Sequence, residues 1–266
     1  MKLLAILLSA LALNNVNAEV KKLCVTPGDF ALTFDNGPSA NTDSLLLKLR
    51  DSGLKATFHI VASYTKDPVF QMKTKNIAAE GHVIGIRAEP SWNLLTMSDA
   101  DVRANFAAAT AQIKALTNLS PKFVRLPVGG YTAQTVSVLE SMGYVVSEAS
   151  LDSMDYMPNI TASNVLNTFQ TAVNQSAGFK TSYISVQNEP VMASVEAVPS
   201  IISFLKGAGN NLVTLDKCLQ IAATTDGSTY KADGASKQSS SGSSVATWTG
   251  LSLIASTALA VVFQWL

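Results

Sequence analysis

Leu32-Thr33-Phe34-Asp35-Asn36-Gly37-Pro38 is an apolar run that stops abruptly in a carboxylate, an amide, a glycine and a proline. Asn-Gly is a common turn dipeptide, so the stretch reads either as a strand entering a turn or as a strand that delivers Asp35 and Asn36 to a site at its C-terminal end. Its surroundings bear on the choice. From Asp29 onward, short apolar runs alternate with longer segments whose apolar residues recur at three and four, the mark of repeated βα units. The pattern predicts strands over Phe30–Phe34, Ala56–Val61, His82–Ile86, Phe123–Arg125, Tyr144–Ser147, Ser182–Val186 and Leu212–Leu215. Between them it predicts helices over Thr42–Ser52, Asp67–Glu80, a Ser98-capped stretch through Leu116, Thr132–Met142, Ala162–Asn174 and Ser194–Lys206. Runs fit to be buried on both faces argue for a parallel sheet and an α/β fold. A closed or nearly closed barrel is the natural expectation, although a doubly wound open sheet has the same linear pattern. Either architecture gathers functional groups at the C-terminal ends of strands, where Asp35 and Asn36 stand.

Both ends of the 266-residue chain read as targeting segments. Residues 1–18 have the form of a signal peptide: Lys2, an apolar run from Leu3 to Leu13, and Val16-Asn17-Ala18 before the cleavage point. Residues 226–246 are rich in Ser and Gly, and 247–266 form an apolar tail. A small-residue site, a polar spacer and a terminal apolar tail make the pattern of a glycosylphosphatidylinositol anchor signal, with attachment expected within Ser239–Ser244. A plain C-terminal span is the alternative. What remains, residues 19–225, is long enough for one domain with a substantial core. Equal numbers of acidic and basic residues, 19 of each, argue against nucleic acid as a partner. Cys24 and Cys218 are the only cysteines, and in an oxidising compartment they are expected to pair, with two buried free thiols as the alternative. Sequons at Asn118, Asn159 and Asn174 suit a glycosylated protein of the cell surface or wall.

Ala31 to Pro38, followed by Leu54-Lys55-Ala56-Thr57-Phe58, resembles the opening of the polysaccharide deacetylases, carbohydrate esterase family four, whose NodB homology domain also occurs in chitin deacetylases. The resemblance continues in order through Gly81-His82-Val83-Ile84-Gly85, Val124 to Gly129, Ser150 to Tyr156 and Val213 to Leu219. The plan of the whole chain is similar to that of fungal-type anchored chitin deacetylase-like proteins. The resemblance implies a single distorted (β/α) barrel of seven or eight units. In active members it implies removal of acetyl groups from N-acetylglucosamine polymers such as chitin. One aspartate there serves as base, a second aspartate and two histidines hold a divalent metal, zinc or cobalt, and a further histidine protonates the amine.

Carried over residue by residue, Asp35, Arg125 and Asp152 keep catalytic positions, Asp35 as the base and Arg125 as its orienter. The metal and acid positions are degenerate. Asn36 replaces the ligating aspartate, Arg87 and Ser91 stand where two histidines belong, and Gln187 stands for the acid histidine. The whole chain has two histidines where the mechanism needs three, and both His59 and His82 read as packed or hydrogen-bonded residues. Arginine does not give up its proton to become a ligand. The expectation is therefore no cofactor, and an Asp35 to Arg87 ion pair in place of the metal, shared with Arg125, against the alternative that Arg87 is a surface residue. Trp92, Tyr131 and Tyr156 are candidates for stacking on sugar rings. The first functional reading is a catalytically inactive surface protein that keeps glycan binding. Its rivals are an amidase or esterase working without metal and a structural coat protein that binds other proteins.

Overall fold

The computed structural model describes residues 19–175 and 181–228. The expectations on residues 1–18, on the anchor-attachment segment and on the apolar tail lie outside the described residues. Among the described residues no helix is long and apolar enough to cross a membrane.

The chain runs β1 (Asp29–Ala31), β2 (Thr33–Gly37), α1 (Thr42–Asp51), β3 (Thr57–Val61), a 3-10 turn (Ala62–Lys66), α2 (Pro68–Ala79), β4 (Val83–Arg87), α3 (Asp99–Thr117) and β5 (Phe123–Arg125). It continues through α4 (Ala133–Ser141), β6 (Val145–Val146), β7 (Leu151–Asp152), α5 (Ala162–Gln175), β8 (Tyr183–Asn188), α6 (Met192–Gly207), β9 (Asn211–Val213) and α7 (Leu215–Leu219). Caps fix several helix starts. Asp67 accepts from the Val69 amide ahead of Pro68, Ser98 accepts from the Asp101 amide, and Thr132 and Thr135 form a reciprocal capping box. Asn118 ends α3 with φ 60°, a left-handed conformation asparagine tolerates.

Every ladder between these strands is parallel, in the order β6-β5-β4-β3-β2-β8-β1-β9, with β7 on the other edge of β8. β1 and β2 are two halves of one run interrupted at Leu32. The first half lies between β8 and β9, the second between β8 and β3. From β2 to β6 each strand neighbours its predecessor, and β7 leads through β8 back to β2. A doubly wound sheet reverses direction at a switch point; this order is cyclic, which decides for the barrel. Among the described residues no ladder joins β6 to β7. The free edge of β6 is instead met by the N-terminal segment: the Lys21 amide donates to the Val146 carbonyl at 2.9 Å, and the Glu148 amide donates to the Lys21 carbonyl at 2.8 Å.

One face of the strands packs Phe34, Phe58 and Ile84 with Leu45, Leu49, Ile77 and Val198 of the helices in a continuous apolar core. Pairing is in register across β2, β3 and β4, so Asp35, His59 and Gly85 share the opposite, inner face, as do Arg87 and Arg125. The barrel is thus lined near its C-terminal end by polar side chains. Cys24 and Cys218 form a disulfide across 194 residues, tying the N-terminal segment to α7.

Predicted and observed elements agree in kind, with four differences. The opening strand is split at Leu32, and β7 and the 3-10 turn carry no periodicity long enough to announce them. The last strand ends at Val213, because Leu215 already begins α7. Asn118, Asn159 and Asn174 are all exposed.

Candidate functional site

Asp35 lies at the C-terminal end of β2, 3% exposed. Its Oδ1 is 2.9 Å from Nδ1 of His59, and its Oδ2 lies 3.7 Å from Arg87 Nε and 3.8 Å from Arg125 Nη1. Arg125 also donates through Nη2 to Thr33 Oγ1 at 3.1 Å. The imidazole has room only because residue 85 is glycine: a Cβ there would fall 2.5 Å from His59 Cδ2. Burial alone would push the Asp35 carboxyl up, but Arg125, His59 and Arg87 outweigh it and hold its pKa at about 2. Burial and the Arg125 charge lower His59 to about 4 against the pull of Asp35. The buried cluster is therefore an ionised carboxylate, a neutral imidazole donating from Nδ1, and two guanidiniums.

The sign of the resulting pH dependence follows from linkage. His59 ionises near 6.5 when unfolded and near 4 when folded, so the unfolded chain binds more protons between these values. Its contribution is complete above pH 6.5 and is lost as pH falls toward 4, by about 3 kcal/mol for a shift of this size. Glu189, raised by burial, acts with the opposite sign on the acid side. Denaturant unfolding between pH 4 and pH 7.5 should show this loss, and His59→Asn, which keeps a donor for Asp35, should flatten it. An unchanged slope in that variant would assign the acid lability to other groups.

A second feature links the floor to the far side of the barrel mouth. Asp155 accepts from the Asn188 backbone amide and from Asn188 Nδ2, each at 2.6 Å. Asn188 Oδ1 accepts from Asn36 Nδ2 at 2.6 Å, and Asn36 Oδ1 accepts from Arg87 Nε at 3.2 Å. Arg87 Nη1 completes the run by donating to the Arg125 carbonyl at 3.1 Å. A carboxylate at one end and a guanidinium at the other dictate which way both amides face. Asn36 holds its place with φ 64°, in the left-handed region.

Beneath the Gly37-Pro38 turn lies Glu189, fully buried. Its Oε1 accepts from the Ser39 amide at 2.9 Å and the Ser39 hydroxyl at 3.0 Å, and from the Thr42 hydroxyl. A Cβ on residue 37 would fall 2.0 Å from Glu189 Oε2, so the turn requires glycine for close approach.

The expected Asp35 to Arg87 pair is present, shared with Arg125, and Arg87 is not a surface residue: 18% of its side chain is exposed. Three assignments need correction. Gln187 faces away from the site, donating from Nε2 to the carbonyl and hydroxyl of Ser194 at 3.3 and 3.2 Å. Register pairs Asp35 with Asn188, so Asn188 is the residue of this strand end that faces inward. Asp152 is exposed and serves its own loop, accepting from the Met154 amide at 2.9 Å and Tyr156 hydroxyl at 3.2 Å, and Asp155 is the carboxylate that reaches the site. Ser91 does not join Asn36 and Arg87, but lines a neighbouring cavity. Tyr131 is turned inward to Glu148, where burial and that carboxylate raise its pKa. Tyr156 is 60% exposed at the rim.

Above Asn36 and Arg87 opens a cavity of about 320 Å³ walled by Tyr64, Glu89, Trp92 and Pro127. Of the aromatics singled out from sequence, Trp92 lines it, and Tyr64 joins it. His59, Asp155, Asn188 and Glu189 are the functional neighbours that sequence reasoning did not assign to the site. For His59 and Asn188 the signal is strand parity with Asp35, which requires the register, while Asp155 and Glu189 lie in the turns that follow β7 and β8.

The residues present can be tested against a divalent metal. Among the described residues no group of three or more His, Cys, Asp or Glu side chains is arranged to hold one. The chemistry agrees: Asn36 Oδ1 is engaged by a guanidinium, Asn188 offers an amide already bonded on both sides, and Arg87 brings a fixed positive charge. This donor set does not fit the metal of the resembling family.

Residues 22–147 match the family described as polysaccharide deacetylase. A chitin deacetylase from a Pestalotiopsis species is 29% identical over 79% of this chain and 69% of its own. The solved structure of the chitin deacetylase from Colletotrichum lindemuthianum superposes with a TM-score of 0.72 at 25% identity, covering 77% of this chain and 93% of that one. A pseudoenzyme of carbohydrate esterase family four from Bacillus anthracis shares the fold, with a TM-score of 0.63 at 18% identity over 73% of this chain and 66% of its own.

Proposed function

We propose that this chain, whose residues 22–147 match the polysaccharide deacetylase family, binds N-acetylglucosamine polymers such as chitin without deacetylating them. It does so as a secreted protein held at the cell surface by a glycosylphosphatidylinositol anchor.

The observation that carries this reading is the run Asp155, Asn188, Asn36, Arg87. Deacetylation of an amide needs a water made nucleophilic and a proton for the departing amine. Asn188 has no titratable proton to give. Asp35, at about 2, is too weak a base to take a proton from water at neutral pH. His59 is the one neutral base nearby, and it is wholly buried behind Asp35. The same pKa weighs against a metal-free hydrolysis with Asp35 as base. What the groove keeps is a recognition surface: Trp92 and Tyr64 beside the polar ends of Asn36 and Arg87.

Calorimetric titration with chitooligosaccharides, alongside an acetate-release assay with and without zinc or cobalt, tests the proposal. Binding is expected, with no acetate released under either condition and no stoichiometric metal in the pure protein. Acetate release that disappears in Asp35→Asn would overturn it. The anchor is tested separately, by release of detergent-phase protein with a phosphatidylinositol-specific phospholipase.

A further inference from the structure

Trp92 is shared by two cavities. On one side is the cavity over Asn36 and Arg87; on the other, one of about 270 Å³ opens between the 3-10 turn, the loop after β4 and the flank of α3. The second cavity lies outside the arrangement around Asp35, and small and polar side chains line it. At positions 105, 108 and 112 α3 presents Asn105, Ala108 and Gln112, spaced to share one face on the flank of its buried face of Val102, Phe106, Ala109 and Ile113.

Its polar atoms are largely uncommitted. Gln112 uses Nε2 on the Ala62 carbonyl and Thr65 hydroxyl, at 2.7 and 2.9 Å, which leaves Oε1 as a spare acceptor. Asn105 spends its Nδ2 on the sulfur of Met97 at 3.4 Å, which leaves Oδ1. Among the described residues the Lys66 ammonium, the Ser91 hydroxyl and the Trp92 indole N–H have no bonded partner in the structure. Glu89, the one carboxylate in the wall, has both oxygens turned to Ser63. Spare donors and acceptors alternate around a small-residue wall beside an indole. That arrangement suits a ligand with many hydroxyls and an apolar ring face, and it offers no uncommitted anion to hold a cationic one.

We infer that this second cavity is a sugar-binding subsite which takes a further unit of the same glycan chain, so that the polymer passes across Trp92 and fills both cavities. The inference rests on the glycan-binding reading above and extends it to chain length. A ligand of two sugar units engages the Asn36 and Arg87 cavity alone, whereas a longer oligomer also reaches Lys66, Ser91, Asn105 and Gln112.

The full chain is titrated calorimetrically with chitobiose and with chitohexaose. Ala108→Phe is the blocking variant, because Ala108 is exposed and a ring there fills the cavity without entering the core. Asn105→Ala is the second variant. Chitohexaose is expected to bind the wild type about tenfold more tightly than chitobiose, a difference of about 1.4 kcal/mol. Ala108→Phe should bring the hexamer down to the dimer's affinity and leave the dimer unchanged, at an unchanged melting temperature. Asn105→Ala should fall between. An unchanged hexamer affinity in Ala108→Phe, or equal loss for both lengths, overturns the subsite while leaving the glycan-binding reading standing. Absence of wild-type binding at either length overturns both.

Discussion

Asp35→Asn should destabilise the protein by about 3–5 kcal/mol, a loss read as a lower denaturation midpoint with an unchanged slope. The side chain is nearly the same size, so packing is preserved and charge alone changes. Arg125, with only 4% of its side chain exposed, then keeps its positive charge without a counter-ion, and Arg87 stands next to it. Breaking a buried pair from the acidic side strands the cation, and an arginine does not escape by deprotonating. The result also bears on function. On the proposed reading, Asp35 is kept for folding and not for turnover. Adding Arg125→Met to Asp35→Asn should recover part of the loss, since it removes the stranded charge as well. A change below 1 kcal/mol in Asp35→Asn would mean that water reaches the cluster and screens it.

Removing the disulfide is the other large effect. Cys24 and Cys218 close a loop of 194 residues. Opening it frees the unfolded chain by an amount worth about 5 kcal/mol in the chain-entropy model. The bond also holds a particular piece of the barrel. It fastens the segment that leads to Lys21, which supplies the backbone partners along the free edge of β6. Cys24→Ser with Cys218→Ser, or reduction of the wild type, should therefore lower the unfolding free energy by several kcal/mol. Amide exchange should rise first at Lys21 and Glu148, whose amides donate in that pairing. Uniform exchange with little loss of stability would show that the edge is held by its own pairing.

Much of this was readable from residues. Parallel βα repeats are local patterns repeated many times, so errors of one or two positions at element ends do not obscure them. The disulfide follows from two cysteines and the expectation of an oxidising compartment. The Asp35 to Arg87 pair follows from charge: an arginine beside a buried carboxylate is hard to place elsewhere. What was hidden depends on strand parity. Motif order puts Gln187 where a histidine is expected, yet the pairing of Asp35 with Asn188 turns Gln187 to the helix side and Asn188 to the site. One residue of slip exchanges the two faces of a strand, and a motif match carries no such resolution. Asp152 and Asp155 were confused for a related reason. β7 is two residues long, and the loop after it turns through Met154 at φ 56°, which sends the second carboxylate inward and leaves the first outside.

The row of amides between Asp155 and Arg87 constrains how this protein could change. Suppose a mutation puts a carboxylate at position 36. Its oxygens would then face Asn188 Oδ1 across the 2.6 Å now bridged by an amide hydrogen, acceptor against acceptor. Turning the Asn188 amide over would offer its Nδ2 to the new carboxylate but set its oxygen against Asp155, and changing Asn188 first leaves the Asn36 amide without its acceptor. Each single change is penalised by the neighbour that has not yet moved. The two asparagines thus lock one another in place, and a change at either position is opposed by the geometry of the other.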